Sequence, residues 1–215
     1  MIGNNNFVLI NFVGRIKASG KVFDLTDKSI AEKEGIAQEG INFGPVLVIP
    51  DSNYVLKAVG QSLLNREIGD KYVLEVKAED AFGKFDPKLV KTLGIGSFKE
   101  SGVNPAVGDM LMLDNKLATV LSVSGGRVMV SFNNPLAGKD LVYEIEIVKL
   151  IQDVKDRCSA IFEHYAGKTP ESAAVEENKI TLRYKEELKQ YTIDAIVSDI
   201  NKYINKDFKV ELVRS

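Results

Sequence analysis

Apolar and polar positions alternate in short runs over the first part of the chain. In Phe7–Arg15, Val8, Ile10 and Phe12 share one face, the two-residue period of a half-buried strand. The run FVLINFVGRIKASGKVFD reads as two strands around a turn at Ser19-Gly20. Residues 25–44 are polar and dotted with glycine, which predicts a long loop. GPVLVIP is a short strand closed by Pro50. In YVLKAVGQSLLNREIGD, Val55, Leu56, Val59, Leu63 and Leu64 fall at helical spacing and predict a short amphipathic helix ended near Gly69. KYVLEVKAEDAFG returns to alternation, with Tyr72, Leu74 and Val76 set against charges.

Residues 88–131 have another texture. VGDMLML, KLATVLSVSG and GRVMVSF predict three short strands, with hairpin signals at Asp114-Asn115 and Gly125-Gly126. Met110, Met112 and Met129 all lie here. Alternation resumes in DLVYEIEIVKL: Leu141, Tyr143, Ile145 and Ile147 point one way, Glu144 and Glu146 the other. The stretch 88–131 therefore reads as an insertion in a β domain formed by 1–87 and 132–150. Beyond Ile151 the period lengthens. Val154, Cys158, Ile161, Phe162 and Tyr165 form one helix face, and Ile193, Ile196, Val197, Ile200 and Ile204 another. GKTPESAAVEEN reads as a linker, and KITLRYK and FKVELV as strands. Residues 151–215 are thus predicted to form a separate αβαβ domain, and the fold class is α+β.

Composition narrows the chemistry. With 215 residues, 45% of them apolar, the chain can build one large domain or two to three small ones. A net charge of -2 and a pI near 5.6 leave no basic footprint for nucleic acid. No apolar run approaches the ~18–20 residues of a membrane span, and the start MIGNNNFVLINFVGR resembles no secretory leader. The single Cys158 cannot form an internal disulfide, which predicts a cytoplasmic protein. Its place in an apolar stripe makes it a packed thiol. His164 has no spaced partners and makes no metal site, and no Gly-rich phosphate loop, HExxH or GxSxG is present. Any activity is expected to work without metal, cofactor, nucleophile or histidine base.

Four stretches taken in order are more specific. NFVGRIKASGKVFD, YVLKAVGQSLLNREIGDKYVLEV, AEDAFGKFDPKLV and NNPLAGKDLVYEIEIVKL resemble FKBP-type peptidyl-prolyl cis-trans isomerases of the SlyD-like group, which carry an insert-in-flap domain. The resemblance covers roughly residues 6–150. It implies an FKBP-like antiparallel sheet wrapped on a short helix. The family's pocket falls on Phe12, Asp24, Val46, Val55, Leu56, Val59, Phe82 and Tyr143, with Leu136 and Ala137 on its rim. Four positions depart from the commonest pattern, and a fifth lies in the NHPLAG-like loop. Phe12 and Phe82 stand where the family usually has Tyr, Tyr143 where it has Phe, Val59 where it has Trp or Leu, and Asn134 where it has His. Phe82 lacks the hydroxyl that donates to the bound chain. Residues 151–215 resemble the C-terminal extension of long archaeal members, which implies homodimerisation through that unit.

Residue types suit this chemistry. Rotation about an X-Pro bond meets a barrier of ~18–20 kcal/mol set by amide resonance. Twisting removes the charge that resonance places on the carbonyl oxygen, so an apolar, water-poor pocket favours the twisted state. The Leu56 N–H is a candidate to fix a substrate carbonyl, and Asp24 to orient a dipole or accept a hydrogen bond from Tyr143. In the insert, Leu93, Ile95, Phe98, Met110 and Met112 are candidates for an adaptable apolar surface, and the resemblance implies that it grips unfolded chain. Three readings stand: an isomerase with chaperone activity on unfolded or proline-containing polypeptides, a holdase with little isomerase activity, and a scaffold that pairs two chains.

Overall fold

The computed structural model describes residues 1–37, 42–100 and 102–215, with backbone alone at 99 and 100. It is a mixed α+β structure. The chain divides into two compact units, one of Met1–Glu75 with Val142–Ser215 and one of Val76–Leu141.

The first unit opens with β1 (Phe7–Ile16) and β2 (Val22–Leu25) around the predicted turn, where Gly20 has a positive φ. The expected long loop instead contains a helix, α1 (Lys28–Lys33). Its signal is local: Asp27 caps it, accepting from the Ser29 N–H at 2.8 Å. Residues 38–41 of that loop lie outside the described residues. Then come β3 (Val46–Val48), α2 (Lys57–Ser62) and β4 (Lys71–Val76). The helix is shorter than its periodicity predicted. Val55 and Leu56 precede it, because Leu56 takes an extended ψ of 137° and serves as its N-cap.

The long strand β9 (Leu141–Ile151) completes a sheet ordered β2-β1-β9-β4, with β3 pairing antiparallel to β1. Its alternation is as predicted: Tyr143, Ile145 and Ile147 are buried and Glu144 is exposed. The rest of this unit is α4 (Val154–Ala166), β10 (Ser172–Glu176), β11 (Lys179–Tyr184), α5 (Gln190–Tyr203) and β12 (Lys209–Arg214). The pattern is αββαβ, not αβαβ. β10 falls in the stretch read as a linker, whose SAAVE offers one bulky apolar side chain to the eye. It pairs antiparallel with β11, and only β11 and β12 run parallel. These C-terminal elements share one core with the N-terminal strands. Phe7, Leu47 and Ile49 pack in a cluster with Cys158, Ile161, Phe162, Ile196 and Ile200.

The second unit holds a four-stranded sheet ordered β5-β8-β7-β6. Its strands are β5 (Val90–Gly94), β6 (Met110–Leu113), β7 (Lys116–Ser124) and β8 (Arg127–Ser131). Three were predicted, with both hairpins. Asp114, Asn115, Gly125 and Gly126 all have positive φ, as two-residue turns of the primed type require. The fourth strand, β5, and the helix α3 (Ile95–Glu100) were not. Phe98, Ala118, Val120, Val128 and Val130 form the unit's core.

Candidate functional site

In the first unit, three rings come together on neighbouring strands. Phe12 on β1 and Tyr143 on β9 have ring centroids 5.7 Å apart. Phe23 on β2 meets Tyr143 edge-on, also at 5.7 Å. Phe23 carried no expectation from the sequence. What seats it is Gly14, where an ideal Cβ would lie 2.7 Å from the Phe23 Cζ. Register places Gly14 opposite Asp24. Phe12 is fixed at its backbone by Thr26: the Phe12 N–H donates to Thr26 Oγ1 at 2.9 Å, and the Thr26 N–H donates to the Phe12 carbonyl at 3.0 Å.

Tyr143 is 5% exposed, and burial first, then the charge of Asp24, pushes its phenol up to about 12. Asp24 is an exposed residue, yet partial loss of water around its carboxyl raises it, partly offset by the Leu25 N–H. The expected hydrogen bond from Tyr143 to Asp24 is not among the bonds of the described residues. The two groups act on each other through space.

Val46 pairs with Ile10, two residues before Phe12. Val59 is fully buried on α2. Helix α2 lies tight under the chain that leads into it: a Cβ on Gly60 would sit 2.7 Å from the Pro50 carbonyl oxygen. The Leu56 carbonyl accepts from the N–H groups of Val59 and Gly60, whereas its own N–H donates to no group among the described residues. Val55, Lys57 and Ala58 share this property, so the entry to α2 offers a run of backbone donors, Leu56 among them, to another chain.

The remaining predicted residues belong to the second unit. Phe82 lies in a turn after Ala78–Asp80, closed by Gly83 N–H to the Ala78 carbonyl at 2.8 Å. The loop bearing Leu136 and Ala137 is tied to that turn by Gly138 N–H to the Gly83 carbonyl at 2.8 Å, and by the Ala78 N–H to Asp140 Oδ1 at 3.0 Å. Asn134 shapes the loop that carries Leu136 and Ala137. Its Oδ1 accepts the Leu136 N–H at 2.8 Å, bridging Pro135. Asn133, also missed, is buried and locks the loop base through the Asp86 carbonyl at 2.9 Å and the Asp86 N–H at 2.9 Å.

Of the apolar candidates on the insert sheet, Met110 and Met112 are 62% and 66% exposed. Met112 pairs across with exposed Leu117. Leu121 and Met129 are also exposed. Leu93 and Ile95 are half-buried against the core. Phe98 is a correction: at 4% exposure it sits inside the unit's core and presents no surface. Among the described residues no group of His, Cys, Asp and Glu is placed to hold a metal ion, and no helix is long and apolar enough to cross a membrane.

By sequence the chain is similar to FKBP-type peptidyl-prolyl cis-trans isomerases, SlyD among them. The family model described as FKBP26, IF domain, matches residues 91–136, within the second unit. The short-type peptidyl-prolyl cis-trans isomerase of Methanocaldococcus jannaschii is 20% identical over 147 residues, covering 68% of this chain and 92% of that protein. A probable FKBP-type 16 kDa isomerase of Pseudomonas fluorescens is 26% identical over 153 residues, covering 68% and 90%. The crystal structure of a peptidyl-prolyl cis-trans isomerase from Pseudomonas syringae aligns with a TM-score of 0.35 at 17% identity, over 70% of this chain and 65% of that one.

Proposed function

We propose that the protein is a peptidyl-prolyl cis-trans isomerase that works on proline-containing segments of unfolded polypeptides, with the insert sheet as their gripping surface. The observation that carries the reading is the cluster of Phe12, Phe23 and Tyr143 in the same unit as a Leu56 N–H that donates to no group among the described residues. In this reading the nearly enclosed Phe12 and Tyr143 rings form the dry floor under a prolyl amide, and the Leu56 N–H holds a carbonyl of the same chain. A planar X-Pro amide carries more charge on its oxygen than a twisted one, so a dry surface lowers the ~18–20 kcal/mol rotation barrier without acid, base or nucleophile. Asp24, raised by its surroundings, supplies a nearby dipole or charge that Tyr143 feels.

The insert's role as a chaperone surface is supported by Met110, Met112, Leu117, Leu121 and Met129, all exposed on its sheet. Methionine adapts to many partners because it is unbranched and polarizable. We further propose that the chain pairs with a second copy through residues 151–215, and that it works in the cytoplasm, where the free thiol of Cys158 stays reduced. Light scattering of the full chain tests the first of these.

The test is refolding of a protein whose slow phase is proline isomerisation, together with a protease-free assay on a proline tetrapeptide. Acceleration of both is expected. No acceleration of either removes the enzyme reading. A holdase reading is favoured by the missing hydroxyls at Phe12 and Phe82. Phe82→Tyr separates the two: activity that appears only in this variant favours the holdase.

A further inference from the structure

A second group of rings and charges lies away from the Phe12–Tyr143 cluster, in the first unit. Tyr54 and Tyr165 both donate to one oxygen of Asp199, Tyr54 at 2.6 Å and Tyr165 at 2.5 Å. The Tyr54 ring stacks face to face on His164, with centroids 3.8 Å apart and planes within 14°. Tyr203 meets Tyr54 edge-on at 6.2 Å. Burial, and then Asp199, drives the Tyr54 phenol far above its usual range, so the hydroxyl is always a donor. Tyr165 is pushed up to about 12 by the same causes. His164 and Tyr165 close α4, and Asp199 and Tyr203 belong to α5. Tyr54 belongs to neither helix. It immediately precedes Val55 and Leu56.

That position is what gives the cluster meaning. Residues 51–56 run between β3 and α2 without a ladder or a helical turn. Their internal bonds are few: the Ser52 N–H to the Ile49 carbonyl at 2.8 Å, and the Tyr54 N–H to Ser52 Oγ at 3.3 Å. Pro50 is fixed against Gly60 at one end, and Leu56 enters α2 at the other. Between them, the side chain that ties the segment to the helices is Tyr54. A carboxylate accepting two phenols is a directional, charge-assisted joint, and the stacked imidazole fixes the ring's plane. We propose that Tyr54 is a positioning residue, and that Asp199, Tyr165 and His164 are the brace by which the two C-terminal helices set the backbone at Val55 and Leu56. The role assigned to Leu56 rests on the isomerase reading above. The brace itself does not.

Such a joint matters because a binding donor must be held within a fraction of an ångström of its productive place. Residues 151–215 then contribute to binding of the substrate chain without touching it. They act through Tyr54, which they hold in the same core that contains Phe7, Leu47 and Ile49.

The test uses the full chain with Tyr54→Phe, Asp199→Ala and Asp199→Asn. Two readouts are taken on each: the dissociation constant and kcat for a proline tetrapeptide, and hydrogen exchange with 15N relaxation of the Leu56 amide. Global unfolding in urea is followed alongside. Asp199→Ala is expected to weaken peptide binding about five- to tenfold, the scale of losing charge-assisted bonds, and to loosen the Leu56 amide. Tyr54→Phe keeps the stacked ring and is expected to show a smaller effect of the same kind. Asp199→Asn retains an acceptor and restores most of the binding. Unchanged Leu56 dynamics and unchanged peptide affinity in folded Asp199→Ala or Tyr54→Phe overturn the brace. Failure of the unaltered protein to bind any proline peptide instead overturns the isomerase reading, and the Leu56 amide then decides the brace alone.

Discussion

Gly14 and Phe23 are fitted to one another: the Phe23 ring tip occupies the space that any side chain at residue 14 would need, 2.7 Å from an ideal Cβ. The same ring stands edge-on to Tyr143. A β-carbon at 14 therefore pushes on the aromatic cluster before it pushes on backbone. Gly14→Ala is expected to cost about 1–3 kcal/mol of stability and to alter the near-ultraviolet circular dichroism of the tyrosines, with weaker binding of a proline peptide. A variant that matches the original in all three measurements would mean that Phe23 turns aside freely and plays no part in the site.

Gly60 presents the opposite case. Its Cβ would meet the Pro50 carbonyl oxygen at 2.7 Å, and backbone cannot swing away. In an exposed helix, Gly→Ala gains about 1 kcal/mol. Here Gly60→Ala is expected to lose about 1–3 kcal/mol by overpacking, read as a lower urea midpoint at unchanged slope. A higher midpoint would mean that α2 can back away from Pro50.

How far these features could be read from the sequence varies with their physics. The alternation of Leu141, Tyr143, Ile145 and Ile147 and the Asp114-Asn115 and Gly125-Gly126 turns are local, and period and turn chemistry reported them. The helix at Lys28–Lys33 was hidden because it buries a single alanine, Ala31, and has no apolar stripe to see. The strand at Ser172–Glu176 likewise buries only Ala173. The aromatic site was half legible. Phe12 and Tyr143 stand out as site residues only through the family resemblance, not through periodicity. Phe23 depends on a glycine of another strand, and the Tyr54–Asp199 bond spans 145 residues, a separation that no window along the chain can carry. Phe98 shows the converse: its neighbours in sequence give no sign of α3 and β5, the elements that enclose it in the unit's core.

Cys158 offers a clean check on the shared core. Burial, and then the charge of Asp153, pushes its thiol up to about 12. An ordinary thiol, with pKa ~8.5, is partly ionised at pH 8, so the buried one should react with a disulfide reagent about a thousandfold more slowly. Urea is expected to release the ordinary rate. Fast labelling of the native protein would mean that the core of Phe7, Phe162 and Ile196 opens readily.

Asp24 gives a pH dependence whose sign follows from its surroundings. Its carboxyl is raised in the fold, so folding favours the protonated form. That contribution is complete below the unfolded carboxyl value of ~3.9 and is lost as pH rises through the folded value. Asn resembles the protonated state at every pH. Asp24→Asn should therefore match the original protein near pH 3.5 and exceed it in thermal midpoint at pH 7. A variant that falls further behind as pH rises would mean that the ionised carboxylate makes a stabilising contact.

The exposed methionines separate the insert's contribution from that of the ring cluster. Met110 and Met112 project from one side of β6, and Leu117 stands opposite Met112. Burying one such side chain against a client contributes about 1.5–3 kcal/mol, and tenfold in affinity is about 1.4 kcal/mol. The double variant Met110→Glu, Met112→Glu replaces that surface with charge while Val120, Val128 and Val130 keep the unit folded. It is expected to bind a permanently unfolded protein at least tenfold more weakly. In the refolding assay its rate should fall about as far, and fall much less on a tetrapeptide, whose four residues offer an apolar gripping surface little to hold. The ratio of the two rates is the decisive quantity, since a general loss of fold lowers both together. An unchanged ratio would remove the insert sheet from client binding and leave the ring cluster to act alone.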